Sequence, residues 1–274
     1  MKDFLIEKCL LGKAARLDDL VEWMRPRIDP TKKRILLAAA PKSASTYLTK
    51  LLGAALGWKI RDAVGLYGSS EQQIYLPRLV GAMRDNTLIG QQHLRANEFT
   101  LNVLRLFHFK TIVLVRDFED SAVSIRDHHL RESTVHSMAA ADEAQIRGLS
   151  DTEHLWFVIR MVMPWYFNFY VSWQKASRQS DLPIHWLNYS ELIADPAATL
   201  TRLVAFIGVD RSPSQIDAAI EAASSGSHRK NVGISGRGQS QLNNEQRAAL
   251  REMAAFYPDI DFSPVGLGPE GAQP

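Results

Sequence analysis

The stretch from Arg34 to Leu52, RILLAAAPKSASTYLTKLL, constrains this chain more than any other. An apolar run of strand length, Ile35 to Ala40, stops at Pro41, and Leu48, Leu51 and Leu52 then recur at helical spacing. Unbroken apolar runs of this kind belong to strands buried on both faces of a parallel sheet, so the chain is an α/β protein. Pro41 has no N–H and ends the ladder. Lys42, Ser43, Ala44, Ser45 and Thr46 fill the turn between strand and helix. Small side chains let backbone N–H groups approach an anion, the hydroxyls add donors, and Lys42 adds a full charge. The helix N-terminus contributes its own unpaired donors and positive partial charge. A phosphorylated ligand suits this turn. The spacing G-x-x-x-x-G-K-[ST] of the common nucleotide loop is absent, which argues against plain ATP hydrolysis.

Other strands and helices follow the same alternation. Trp58 to Ile60 reads as a short strand, and a helix is expected over 71–83. Thr87 to Leu94 reads as a strand that ends in two glutamines and His93. Ile112 to Val115 is a second buried run, which ends at Arg116; a helix then carries Asp120 and, about two turns in, Ser124. Arg116 and Ser124 can therefore grip one phosphate. Leu130 to Leu149 is polar and alanine-rich, the composition of a mobile helical insertion. Ser150-Asp151-Thr152-Glu153 reads as a capping box, and Pro164 must kink or divide the helix it starts. The aromatic series from Trp156 to Trp173 belongs to a core, part of which can wall an apolar cavity. Ile184 to Leu187 reads as a third strand. Asp195-Pro196 caps a helix that Gly208 ends, and further helices are expected after Ser212-Pro213 and over Asn243 to Phe256.

With 274 residues, 46% of them hydrophobic, the chain can bury one full core. The organisation expected is a helical extension over 1–29, a single α/β domain over 30–265 and a short tail over 266–274. A formal net charge of +2 gives no electrostatic reason to expect nucleic acid as a partner. The single cysteine, Cys9, cannot form an intramolecular disulfide, which fits a reducing compartment such as the cytoplasm. The amphipathic N-terminal segment is too short in its apolar runs to cross a membrane. No His/Cys/Asp cluster has metal-ligand spacing, so no metal is expected.

Pro41-Lys42-Ser43-Ala44-Ser45-Thr46-Tyr47-Leu48 resembles the P-K-S-G-T-T-W-L loop with which sulfotransferases hold the 5′-phosphosulfate of PAPS, 3′-phosphoadenosine 5′-phosphosulfate. Ala44 stands for the glycine and Tyr47 for the tryptophan. The segment from Arg116 to His128 resembles the family pattern R-x-P-x-D-x-x-x-S-x-x-x-H, with Arg116, Asp120, Ser124 and His128 in register and Phe118 in place of the proline. Gln91-Gln92-His93-Leu94-Arg95 is similar to the family's K-T-H-L-P segment in His-Leu alone. Tyr189 and Asp195-Pro196 fall in a Y-E-D-L-x-x-D-P-like module, and Arg229-Lys230 resembles an R-K-G, followed by Gly236-Arg237-Gly238 where the family has its next glycine turn.

The resemblance implies a P-loop-like three-layer fold, a central parallel sheet flanked by helices, and sulfuryl transfer from PAPS to a hydroxyl or amine. It implies that Lys42, Ser43, Ala44, Ser45, Thr46 and Tyr47 hold the 5′ side of the donor. Arg116, Ser124, Arg229 and Lys230 would bind its 3′-phosphate, with Tyr189 near the adenine. His93 is the implied base, with Lys42 and Ser124 as its companions in the chemistry; His128 and His129 are rival bases. An imidazole can take a proton from an acceptor near neutral pH. Acceptors of small-molecule, lipid or carbohydrate type remain open, as does oligomeric state. Two alternatives stand beside this reading, an ATP-dependent P-loop-like kinase and a nucleotide-binding protein without the chemistry.

Overall fold

A computed structural model of the chain describes residues 17–65, 72–131, 139, 141–225 and 235–268. Cys9, Arg229 and Lys230 lie outside those residues, as do 132–138 and 140 of the expected insertion between 130 and 149. In chain order come α1 (Leu17–Met24), β1 (Arg34–Ala39), α2 (Ser45–Leu56), β2 (Lys59–Arg61), α3 (Leu76–Leu79), β3 (Thr87–Gln92) and α4 (Glu98–Leu106). Then follow β4 (Phe109–Val115), α5 (Phe118–Arg131), α6 (Glu143–Arg147), α7 (Asp151–Phe157), α8 (Met163–Gln179) and β5 (Ile184–Asn188). The chain continues through α9 (Tyr189–Ala194), α10 (Pro196–Ile207), α11 (Pro213–Ser224), α12 (Arg237–Gln241) and α13 (Asn244–Ala255).

The five strands form one parallel sheet in the order β2-β3-β1-β4-β5. β1 is central, and all six of its residues are buried, as its unbroken apolar run requires. Ile35, Leu37 and Ala39 pack on one face against Leu48, Leu51 and Leu52 of α2, with Leu200 and Leu203 of α10. Leu36 and Ala38 pack on the other against Val123 of α5 and Tyr166, Tyr170 and Trp173 of α8. This is the three-layer arrangement that the sequence implies. From β1 the order runs outward in both directions, to β3 and β2 on one side and to β4 and β5 on the other, so a crevice opens at its carboxyl end, where ligands of parallel sheets bind.

Two departures from the sequence reading have physical causes. The helix expected over 71–83 shrinks to α3 and a 3₁₀ turn over Val80–Ala82, while Ile74 bridges Val64 in extended backbone. Pro77 fits only the first turn of a helix, so the helix cannot begin a turn earlier. Pro164 divides the helix that Ser150 caps, but through a π-helical turn over Val158–Val162 rather than a break.

At the amino end of β1 a buried cation organises the base of the sheet. Arg34 is 1% exposed, and its guanidinium donates to the carbonyl oxygens of Asp29, Lys32, Ala82, Met83 and Phe107. Burial pushes its pKa down, opposed by the charges of Asp29 and Asp85.

Candidate active site

The turn after β1 is built from backbone conformations that ordinary residues avoid. Lys42 has φ 61° and Ala44 has φ 65°, both in the left-handed region. Such a region costs an L-residue about 1–2 kcal/mol, and a string of neighbours has to hold the turn in place. Four consecutive carbonyls are each taken by a different side chain. Ala39 O lies 2.7 Å from His93 Nδ1, and Ala40 O accepts from the Ser43 hydroxyl. Pro41 O accepts from the Tyr166 hydroxyl at 2.9 Å, and Lys42 O accepts from Arg116 Nη1 at 3.1 Å. With the carbonyls turned into the protein, the opening N–H groups of α2 face the crevice, as helix geometry dictates.

Ser43 is fully buried and closes the turn on itself, so it can offer a ligand its N–H but not its hydroxyl. Ser45 and Thr46 both donate to the side-chain oxygen of Gln91, at 3.0 and 2.7 Å. Gln91 arrives there through a bulge: the pairing of β1 with β3 slips between Leu36 and Leu37, opposite Gly90. A Cβ at Gly90 would come within 3.1 Å of Thr49, a tight contact, so the close approach of β3 to α2 suits a glycine. Bulges beside active sites re-aim side chains in this way. Gly90, isolated in a strand pattern, was the available signal for it.

His93 stands just past β3, partly buried, with its backbone N–H donating to Gln72 Oε1 at 2.6 Å. Its Nδ1 points at a carbonyl, so that nitrogen carries the proton and Nε2 is left as the basic one. Burial pushes its pKa below the usual imidazole value, and the Ala39 carbonyl opposes that shift. Trp165 meets the imidazole edge-on at 6.5 Å and stacks on Phe169 at 5.2 Å. Of the rival bases, His129 is buried and turned away, its Nδ1 2.9 Å from His154 Nε2.

β4 ends at Val115, and Arg116 and Ser124 are both buried, Arg116 against the turn through the Lys42 carbonyl. The Arg116 guanidinium lies 4.3 Å over the ring of Tyr189. Its Nη2 is 3.6 Å from Asp120 Oδ2. Ser124 is one turn beyond Asp120 on α5 and shares its face. Asp117 caps this helix by accepting from the Asp120 N–H at 2.8 Å. Phe118, where the family has proline, fills the core instead: its ring lies 4.8 Å from Phe167 and 6.1 Å from Tyr166. On α2, Tyr47 is partly buried and hydrogen-bonds Ser224 of α11. Of the residues singled out from sequence, Lys42 to Tyr47, His93, Arg116 and Tyr189 follow the carboxyl ends of β1, β3, β4 and β5, and Ser124 lies on α5; Arg229 and Lys230 are outside the described residues. Among the described residues no group of His, Cys, Asp and Glu could hold a metal ion, and no helix is long and apolar enough to cross a membrane.

The sulfotransferase domain family matches residues 32–248. The chain belongs to that family. Among solved structures it is similar to the mouse sulfotransferase SULT7A1 complexed with PAP, at 17% identity and a TM-score of 0.63, over 92% of this chain and 93% of that one. It is also similar to retinol dehydratase in complex with androsterone and the inactive cofactor PAP, at 15% identity and a TM-score of 0.55, over 85% of this chain and 83% of that one. These likenesses establish a shared sulfotransferase fold. No curated protein sequence matches the chain significantly.

Proposed function

We propose that this sulfotransferase takes its sulfuryl group from PAPS and delivers it to a hydroxyl or amine on a small acceptor with an apolar body. The observation that carries the reading is the turn at 39–42, where four side chains hold four successive carbonyls inward and leave the N–H groups of the α2 terminus to meet an anion. Arg116, buried against that turn, and Ser124, buried one helical turn beyond Asp120, suit the second phosphate that distinguishes this donor from AMP derivatives. Trp165 and Phe169 beside His93 suit an apolar acceptor wall; the retinol dehydratase structure holds androsterone.

In this mechanism His93 Nε2 accepts the proton of the acceptor while the acceptor's oxygen or nitrogen bonds to sulfur. The bond between sulfur and the 5′-phosphate oxygen breaks, and its electron pair leaves with adenosine 3′,5′-bisphosphate. Lys42 and the N–H groups of the turn stabilise the charge that grows on that phosphate, each such donor contributing about 3 kcal/mol. The neutral imidazole is the competent form, and its pKa is lowered, so activity should persist into mildly acidic solution and fall only below the ordinary imidazole value of about 6.5. A kcat/KM profile whose acid limb lies above pH 7 would remove His93 from this role.

The test of the donor is titration calorimetry with adenosine 3′,5′-bisphosphate and with AMP. Tight binding of the first and much weaker binding of the second is expected. Equal binding would refute the two-phosphate site and favour an ATP-type kinase; binding of the bisphosphate with no transfer to any acceptor would favour a nucleotide-binding protein without the chemistry.

A further inference from the structure

α12 is short, yet it is fastened to the phosphate side of the molecule more firmly than its length explains. The N–H of Gly236 donates to Asp120 Oδ2 at 2.9 Å, and the N–H of Gly238 donates to Asp120 Oδ1 at 2.8 Å. Both carboxylate oxygens of one α5 residue are thus held by backbone from more than a hundred residues away. Gly236 has φ 82°, in the region that favours glycine. A Cβ at Gly238 would come within 2.7 Å of the Asp120 nitrogen and collide with the Glu119 backbone, so only glycine allows the approach. Two side-chain ties flank it, Arg237 on Asp127 and Arg126 on Gln241.

The geometry points to Asp120 as a positioning residue for Arg116, one that sets the selectivity of the site for a nucleotide with two phosphates. This rests on the reading of Arg116 as the ligand of the 3′-phosphate. A carboxylate beside a guanidinium normally closes into a bidentate pair at about 2.8 Å, which fixes the arginine but neutralises it. Here the two glycine N–H groups fix both oxygens, and Arg116 Nη2 stays 3.6 Å from Oδ2. The N–H dipoles also take up part of the carboxylate charge. Asp120 therefore helps to orient the guanidinium, together with the Lys42 carbonyl and the Tyr189 ring, without closing on it as a bidentate partner. The turn over 236–238 is the clamp that keeps Asp120 from collapsing onto Arg116.

Asp120→Asn and Gly236→Ala test this in the full chain, with adenosine 3′,5′-bisphosphate and AMP as probes and a thermal melt of each variant. Asp120→Asn retains an acceptor for one glycine but loses the charge, and should reduce the preference for the bisphosphate at least about tenfold, the worth of a charge-assisted bond. AMP affinity should fall by much less, since Arg116 reaches the 5′ side only by holding the Lys42 carbonyl. Gly236→Ala meets nothing within 4 Å and strains only the backbone, so it should fold and lose a smaller part of the same preference. An unchanged preference in Asp120→Asn overturns the inference, as does an equal weakening of both ligands, which would mark a structural role. Tighter bisphosphate binding would overturn it too, because Asp120 would then be only a repulsive neighbour. If Asp120→Asn fails to fold, Gly236→Ala decides by the same ratio. An unmodified protein that binds both nucleotides equally would refute the 3′-phosphate reading of Arg116 itself.

Discussion

The two ends of β1 solve the same problem in opposite ways. At its amino end five backbone carbonyls gather round one cation, Arg34, which is buried and saturated by them. At its carboxyl end four carbonyls are each satisfied by a separate side chain, two of which, His93 and Arg116, have chemistry of their own. The first arrangement spends a positive charge on the protein. The second uses four separate side chains on one turn and tolerates two left-handed residues in it. Stability is therefore concentrated at one end of the strand and reactivity at the other.

The sharpest way to break that contrast is to exchange one cation at each end. Arg34→Leu leaves five carbonyls short of a donor and should cost on the order of 3–5 kcal/mol of folding stability, read by urea denaturation, with bisphosphate affinity of the folded fraction unchanged. Lys42→Ala should do the reverse: stability within about 1 kcal/mol and turnover down by a hundredfold or more. Unchanged turnover in the second variant would sink the role given to Lys42. A mild effect of the first would show that water reaches those carbonyls.

Asp117 extends the contrast to the neighbouring strand end. Burial raises its pKa from 3.8 to about 6; the Asp120 N–H opposes the shift, and the charges of Asp120 and Glu119 add to it. Between those values the unfolded chain has lost its proton while the folded chain still holds one, so stability falls as pH rises through that window and the penalty is complete above it. Two units correspond to at most about 3 kcal/mol. Asp117→Asn keeps the oxygen that caps α5 and should raise the melting temperature at pH 7.5, with the gain gone near pH 3.5. A gain independent of pH would mean that ionisation is not its cause. Tyr166→Phe makes a smaller change, freeing only the Pro41 carbonyl: about 1 kcal/mol of stability and a few-fold loss of bisphosphate affinity are expected. Affinity equal to that of the unmodified protein would mean that the turn holds its shape without that bond.

Much of this molecule was legible in the sequence, for reasons that differ by residue. β1 and β4 declare themselves because buried parallel strands need apolar runs, and Asp195-Pro196 and Ser212-Pro213 mark helix starts through local hydrogen bonds. Lys42, Arg116 and Ser124 were recognisable by their order after those strands. Arg34 was not, since its five acceptors come from residues 29, 32, 82, 83 and 107 and no local pattern joins them. Tyr166 looked like one core aromatic among several, and it is one; only its hydroxyl reaches Pro41. Long-range partners of this kind are fixed by packing, which one sequence does not spell out.

Ala44 gives the smallest effect and the most informative one. The family's glycine would accept φ 65° without strain, whereas alanine at this N-cap pays about 1 kcal/mol for the left-handed conformation. Glycine would also add entropy to the unfolded chain, worth about 0.4–1 kcal/mol in the other direction. Ala44→Gly should therefore shift stability by less than about 0.5 kcal/mol, measured by urea denaturation, and leave bisphosphate affinity within about twofold. Ala44→Val, β-branched at a positive φ, should destabilise by more than 1 kcal/mol on the same grounds. A glycine variant that gains stability but loses affinity would mean that the strain is what holds the N–H groups in place. One that gains both would mean that the four carbonyl bonds already hold them and that the methyl group only obstructs the anion.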